Sequence, residues 1–237
     1  MRPPTQPGEA MVQCNGHDWV PRSSVQETDS GLLPIHRKFG FVIYRTAYGG
    51  KLDELWHRYM HHLKTAVEQT FVEDLPAWLR EINDLEWTVM EDRTRLSKRT
   101  KDEVRMIFHE WCESASDERD GDGAFWAARF VIPRYSHCLY VDEQCLKSFE
   151  RYENEEVKGL RPNTVYVSLI ARPNRGNDED EEDNDEDEDE EDEDRFWMNL
   201  SCYYVVEMYN FMGSTGIMPD WQYAYKRPPG VWAGWGT

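Results

Sequence analysis

The stretch that decides the fold is residues 39–50, which read FGFVIYRTAYGG. Its β-branched and aromatic side chains are typical of a strand, and the closing glycine pair is typical of a turn. A helix is predicted directly after the turn, because mostly apolar side chains recur three and four residues apart over about 22 residues, or roughly 33 Å. These side chains are Leu52, Leu55, Trp56, Tyr59, Leu63, Val67 and Thr70. The folded part therefore begins with a strand and a long amphipathic helix.

Further strands and two shorter helices follow this unit. Strand-like runs occur at residues 85–90, 125–132, 135–141 and 164–171. Thr100 and Glu103 have the spacing of a capping box, which predicts the start of a second helix. Asp142 is predicted to cap a short third helix. Residues 196–208 predict another strand, with a buried helix as the alternative.

This order of elements predicts an α+β fold. We expect an antiparallel or mixed sheet with the two main helices packed on one face. An acidic loop is inserted into this domain. The strand order does not follow from the sequence.

The acidic loop contains a run of seventeen residues, 178–194, with sixteen carboxylates and one asparagine. The acidic residues are Asp178, Glu179, Asp180, Glu181, Glu182, Asp183, Asp185, Glu186, Asp187, Glu188, Asp189, Glu190, Glu191, Asp192, Glu193 and Asp194. The formal net charge of the chain is −19, but outside this acidic run 30 acidic residues face 27 basic ones. Because the run cannot bury apolar surface and repels itself, it predicts disorder. Its charge indicates contact with a basic partner, and the alternative is an insertion that only aids solubility.

Composition divides the chain into a leader and one domain. Residues 1–36 are rich in Pro, Gly, Ser and Gln without a sustained period, and they predict a disordered leader. Residues 37–237 predict a single α+β domain, interrupted by a disordered acidic loop over residues 173–195. Ten Trp, twelve Tyr and nine Phe residues supply enough apolar surface for a core.

The sequence predicts an intracellular protein of the cytoplasm or nucleus. The N-terminal residues lack an apolar stretch of signal-peptide length, and no segment approaches the ~20 apolar residues that span a bilayer. The five cysteines are an odd number without close pairing, which favours reduced thiols over a disulfide framework. No membrane partner is expected.

Four segments of the folded part resemble a known group of proteins. Residues 40–48 read GFVIYRTAY, residues 140–148 read YVDEQCLKS, an acidic insert follows, and residues 225–229 read YKRPP. This pattern resembles a group of uncharacterised proteins that is expanded in filamentous fungi, over residues 39–232. The resemblance implies a common fold and a fungal cytosolic or nuclear protein. It implies no activity, cofactor or catalytic residue.

His57 and His61 are weak candidates for a metal site. They lie one helical turn apart, a spacing at which two imidazoles can share a zinc ion. Arg58 stands where a metalloprotease helix carries glutamate, which excludes that class of enzyme. The helical wheel places both histidines opposite the apolar stripe, so we expect them to face solvent. No metal or cofactor is predicted, since Cys112 and Cys138 also lack paired ligand spacing.

The sequence shows no recognisable catalytic constellation. It contains no nucleophile elbow, catalytic-cysteine signature or phosphate-binding glycine loop. Ser136 and His137 are neighbours in a predicted strand, so we expect their side chains on opposite faces rather than in a dyad. The polar candidates for lining a pocket are Arg45, Arg129, Tyr135 and Asp142. Catalysis is therefore less favoured than binding.

A basic cluster precedes the second helix. Its members are Arg93, Arg95, Lys98, Arg99 and Lys101. Such a cluster can contact phosphates, but the acidic run would compete with nucleic acid for it, so a nucleic-acid partner is not favoured.

The leading functional hypothesis is a non-catalytic protein-interaction or regulatory accessory module whose acidic loop contacts a basic protein. The alternative is an enzyme or a small-ligand-binding protein with a pocket that the sequence does not reveal. The oligomeric state does not follow from the sequence.

Overall fold

The computed structural model describes residues 11–14, 18–21, 25–28, 31–34, 38, 40–74, 85–121, 123–128, 132–154, 164–173, 196–214 and 224–234. The strands are β1 (Met11–Cys14), β2 (Asp18–Pro21), β3 (Val25–Thr28), β4 (Gly31–Pro34), β5 (Val42–Arg45), β6 (Thr88–Met90), β7 (His137–Val141), β8 (Tyr166–Ala171), β9 (Trp197–Ser201) and β10 (Val231–Trp232). The longer helices are α1 (Lys51–Asp74), α2 (Lys101–Glu113), α3 (Glu143–Glu153) and α4 (Val205–Ser214). Single helical turns are formed by Arg93–Leu96, Asp117–Asp120, Ala124–Ala127, Pro133–Ser136 and the 3₁₀ segment Cys202–Tyr204.

Six strands form one mixed sheet in the order β10-β9-β8-β7-β5-β6. The pairs β10–β9, β5–β6 and β5–β7 are parallel, whereas β8 is antiparallel to both β7 and β9. Five strands therefore run in one direction and β8 opposes them. The α+β class with a mixed sheet is confirmed.

The two main helices cover opposite faces of this sheet, so the prediction that both pack on one face was wrong. On one face, Ile43 shares a buried cluster with Tyr59 of α1. On the other face, Tyr44 shares a second buried cluster with Phe108 of α2. The chain moves from β5 through α1 to β6, then returns past β5 through α2 to β7. Right-handed crossovers in opposite directions place their helices on opposite faces, which accounts for the arrangement.

Local sequence signals correctly predicted where α1, α2 and α3 begin. Helix α1 begins after the glycine pair and buries the predicted stripe, with Leu55, Tyr59 and Leu63 at most 1% exposed. The capping box of α2 is present, because the Thr100 hydroxyl accepts from the Glu103 N–H and the Glu103 carboxylate accepts from the Thr100 N–H. Asp142 caps α3 by accepting from the backbone N–H groups of residues 144 and 145.

Two predicted strands differ from the structure. Residues 124–127 form a helical turn instead of a strand, and residues 129–131 lie outside the described part. Residues 196–208 contain strand β9 but then turn into α4. The change occurs at Ser201, whose hydroxyl accepts from the Tyr203 N–H and caps the 3₁₀ turn. β-branched and aromatic residues favour a strand only weakly, so this local hydrogen bond decides where the strand ends.

The ends of the chain also contribute strands. The predicted leader contains two hairpins, β1–β2 and β3–β4, which the sequence analysis did not foresee. Strands of four residues place only two side chains on each face, so they leave almost no periodic signal. At the other end, β10 adds to the sheet beside β9, and Trp232 is buried against Tyr204 with ring centroids 5.9 Å apart. The predicted acidic loop lies outside the described residues apart from Pro173.

Within the described ranges, no helix is both long enough and apolar enough to cross a bilayer.

Candidate functional site

The carboxyl ends of β5, β6 and β7 meet at one edge of the sheet. In sheets with parallel strands and helices on both faces, ligands usually bind outside this edge. Arg45, Glu91 and Asp142 lie at or directly after the ends of these three strands. A ligand is therefore expected at this edge of the sheet.

The N-terminus of α1 at this edge is already occupied by the protein's own charges. Asp53 accepts a hydrogen bond from the Gly49 N–H at 3.2 Å and pairs with the Arg45 guanidinium. The hydrogen bond from the Gly49 N–H, and to a smaller extent the interaction with Arg45, lowers the pKa of the Asp53 carboxyl. Arg45 also donates to the Ala47 carbonyl and stacks over Tyr48. The Gly49 N–H and the Arg45 guanidinium, which could contact an anion beside this N-terminus, are thus engaged by Asp53.

The chain segment at residues 97–101 covers the carboxyl ends of β5 and β7. The Lys98 N–H donates to the Thr46 carbonyl at 2.9 Å, at the end of β5. The Tyr140 hydroxyl donates to the carbonyl of residue 99 at 2.9 Å, from the β7 side. Lys101 Nζ lies 3.6 Å from an Asp142 carboxylate oxygen. Residues 97–101 therefore cover the carboxyl ends of β5 and β7. The adjacent strands whose following helices lie on opposite faces are β5 and β6, which these residues do not separate.

Lys98 has a left-handed backbone with φ of 61°, an unfavourable conformation for a residue with a side chain. Lys98→Gly is expected to raise the free energy of unfolding by about 0.5–1 kcal/mol, because glycine adopts this conformation without a steric cost. Urea denaturation followed by circular dichroism would measure it. Lys147→Gly, in the middle of α3, is the matched control and is expected to lower the stability by about 1 kcal/mol. A loss of stability in both variants would contradict the strain at Lys98.

The structure does not bring the four sequence-predicted pocket residues together. Arg45 and Asp142 lie at the carboxyl edge, but each is paired with a side chain of the protein. Tyr135 precedes β7 and so lies at the opposite end of that strand, about 17 Å away along five residues. It is buried, and its hydroxyl donates to Asp120. Arg129 lies outside the described residues.

Ser136 and His137 are in contact, so the expectation that they lie on opposite faces was wrong. Ser136 Oγ is 2.8 Å from His137 Nδ1. Ser136 ends a helical turn rather than belonging to the strand, so the alternation of a strand does not apply to it. Both residues are 6% exposed, and burial lowers the pKa of His137 to about 3. A buried histidine of such low basicity is poorly suited to act as a general base near neutral pH.

The histidines of α1 and the described cysteines give no reactive site. His57 and His61 are exposed, as predicted, and the described residues contain no group of three or more potential metal-ligating side chains. Cys138, Cys145 and Cys202 are free and buried, and burial raises the pKa of each thiol, that of Cys202 to about 12. Since the thiolate is the nucleophile, these thiols are inert at neutral pH.

Much of the basic cluster is engaged with acidic side chains. Arg95 pairs with Glu110, Arg99 with Glu103, and Lys101 with Asp142. Three of its five cations are therefore compensated locally, which reduces their attraction for phosphate groups.

An open cleft of about 420 Å³ remains between β6, the turn Arg93–Leu96 and α2. We call it the β6–α2 cleft. Its lining residues are Tyr44, Val89, Met90, Glu91, Asp92, Arg95, Leu96, Ile107, Glu110, Trp111 and Ser114. Sequence reasoning missed this site. The alternation of side chains along β5 could have assigned Tyr44 to the sheet face opposite that of Ile43. Nothing in the sequence, however, places Tyr44 beside Glu110.

Neither a family model nor a curated protein nor a solved structure matches this chain. The resemblance to the fungal group therefore stays a prediction.

Proposed function

We propose that this protein is a non-catalytic interaction module that binds a basic protein through the acidic run at residues 178–194. The observation that carries the proposal is the density of charge, sixteen carboxylates in seventeen residues, in a chain whose remaining residues are nearly neutral. A field of one sign raises the encounter rate with oppositely charged proteins and depends strongly on salt.

The residues on either side of the acidic run support this proposal, because they belong to the packed domain. Strands β8 and β9 are antiparallel neighbours, and Ile170 pairs with Trp197. Before the run, the Arg172 N–H donates to the Ser136 carbonyl at 2.7 Å and its side chain pairs with Glu113. The described residues that precede and follow the run thus belong to the central sheet or contact it.

Cationic side chains of α2 contact described residues that precede and follow the acidic run. Arg105 of α2 lies 4.6 Å from the ring centroid of Phe196 and donates to the Ala171 carbonyl at 3.0 Å. Lys101 Nζ lies 4.0 Å from the ring centroid of Trp197. Helix α2 therefore contacts described residues both before and after the run.

The non-catalytic part of the proposal is supported by the carboxyl edge of the sheet. The Gly49 N–H before α1 is bonded to Asp53, and the carboxyl ends of β5 and β7 are covered by residues 97–101. The buried Ser136–His137 pair is also unsuited to general-base chemistry near neutral pH.

The test compares three full-length proteins in binding to partners captured from native extract. In the first variant, every Asp and Glu of residues 178–194 is replaced by Asn and Gln, which keeps the length and removes the charge. In the second variant, the acidic residues are shuffled within the run, which keeps both the length and the charge of the run. We expect the neutral variant to lose at least about tenfold in association with the partner and the shuffled variant to bind as the wild type does.

Salt gives an independent check of the same proposal. Binding by the wild type is expected to weaken as salt is raised from low to moderate concentration, because screening shortens the range of charge–charge attraction. A partner that binds the neutral variant as tightly as the wild type would refute the role of the acidic run.

A second candidate function is the binding of a small ligand, which is favoured by the β6–α2 cleft. Its volume of about 420 Å³ falls within the range of roughly 300–1,000 Å³ that is usual for small-molecule sites.

A further inference from the structure

The β6–α2 cleft combines apolar walls with charged groups at its rim. Its apolar surface comes from both sheet and helix: Tyr44 belongs to β5, Met90 belongs to β6, and Ile107 and Trp111 belong to α2. Such walls favour a ligand with an apolar or aromatic body.

Negative charge predominates among the lining residues. Glu91, Asp92 and Glu110 contribute three carboxylates, against one guanidinium from Arg95. Arg95 is paired with Glu110 at 3.3 Å, but their side chains are 57% and 70% exposed, so this ion pair is weak and open to exchange. The cleft therefore has a net charge of −2 and favours a cation.

Nearby guanidinium groups do not reverse this charge. Arg119 lies 4.1 Å from the ring centroid of Trp111 and is paired with Asp120. Arg134 lies 5.7 Å from the same ring and is paired with Glu86. Arg119 is matched by Asp120, whereas Arg134 shares Glu86 with Lys38, so these groups leave one positive charge against the net −2 of the lining and the cleft stays negative.

Tyr44 supplies an observation that is independent of the carboxylates. It is 1% exposed and lines the cleft, yet its hydroxyl has no hydrogen-bond partner among the residues that the structure describes. Burial raises the pKa of this phenol, so it stays protonated and keeps an oxygen lone pair available. Because an unpaired buried hydroxyl is unfavourable, an N–H donor from a ligand would stabilise it.

We propose that the β6–α2 cleft binds a small organic cation with an apolar or aromatic body and N–H donors. The body packs between β6 and α2, the cationic group pairs with Glu110 and its neighbouring carboxylates, and an N–H donates to the Tyr44 hydroxyl. This site is separate from the acidic run, and it does not depend on the function proposed for that run.

The test uses benzamidine, an aromatic cation, and benzamide, a neutral molecule of the same shape, in titrations of the full-length protein followed by NMR. We expect benzamidine to bind about tenfold more tightly than benzamide, because hydrogen bonds from a charged donor are the stronger ones. Equal affinities, or no binding of benzamidine, would overturn the proposal.

Four substitutions locate the site. Tyr44→Phe is expected to weaken benzamidine binding about tenfold while the variant stays folded, because it removes only an unpaired hydroxyl. Glu110→Gln is expected to weaken binding about two- to fivefold, and Arg95→Gln to strengthen it by a similar factor. Glu118→Gln, an exposed carboxylate outside the cleft lining, is the control and should change nothing. Unchanged affinity in both Tyr44→Phe and Glu110→Gln would place benzamidine elsewhere and refute the site.

A third probe separates a small ligand from the side chain of a protein partner. N-acetylargininamide carries the cation of an arginine side chain and both flanking amides. Tighter binding of this probe than of benzamidine would overturn the assignment to a small aromatic or apolar cation.

Discussion

Phe108→Ala is expected to lower the free energy of unfolding by about 3–5 kcal/mol, because it leaves a cavity in the core. Phe108 is fully buried on α2, with its ring centroid 6.3 Å from that of Tyr44 and 6.1 Å from that of Trp111. A single domain is usually stable by about 5–15 kcal/mol, so this loss is a large fraction of the total. Urea denaturation at pH 7, followed by circular dichroism, would measure it.

Met106→Ala is the matched control on the same helix. Met106 is 53% exposed, so its truncation is expected to change the stability by less than about 0.5 kcal/mol. The contrast tests whether α2 covers the second face of the sheet and forms one wall of the β6–α2 cleft. Equal losses in the two variants would show that α2 does not pack on β5 in this way.

Acidification is expected to destabilise the protein through His137. Burial lowers the pKa of His137 from 6.5 to about 3 in the folded protein. Below pH 6.5 the unfolded chain binds a proton that the folded protein excludes, so the stabilising effect is complete above pH 6.5 and is lost as the pH falls toward about 3. The free energy of unfolding should fall by about 1.4 kcal/mol per pH unit from this group, or roughly 2–3 kcal/mol between pH 6.5 and 4.5.

His137→Asn isolates this contribution from the carboxylates that titrate in the same range. Asparagine keeps a polar group close to the position of Nδ1, where Ser136 makes its contact, but it does not titrate. Denaturant unfolding at several pH values should give a shallower slope for the variant than for the wild type. His61→Asn, an exposed histidine, should leave the slope unchanged. Parallel curves for wild type and His137→Asn would contradict the burial of a neutral imidazole.

The two proposed binding functions share a preference for positive charge but use different parts of the molecule. The acidic run offers many carboxylates without any apolar surface of its own. The β6–α2 cleft offers a few carboxylates beside aromatic and aliphatic walls. The neutral variant of the acidic run should therefore retain benzamidine binding, and Tyr44→Phe should retain the protein partner. A single substitution that abolished both would indicate a folding defect instead.

The predicted pocket residues Arg45, Tyr135 and Asp142 do not line the β6–α2 cleft. Arg45 ends β5 and Asp142 follows β7, so both lie at the carboxyl edge of the sheet, whereas Tyr135 precedes β7. The cleft was missed because Tyr44, Glu91 and Glu110 come from three elements that are far apart along the chain.

The sequence by itself determined the features that depend on neighbouring residues. The stripe of α1 follows from a repeat of 3.6 residues, the caps at Thr100 and Asp142 involve partners within three residues, and the charge of the acidic run is a matter of composition. Only the tertiary structure decided the face on which α2 packs, the contact of Lys98 with the end of β5, the contact between Ser136 and His137, and the existence of the β6–α2 cleft. Strand β5 is apolar on both faces, so its pattern is equally compatible with a helix on either one. The choice between them is made by the direction of the crossovers and the packing of distant segments, and no local pattern records either.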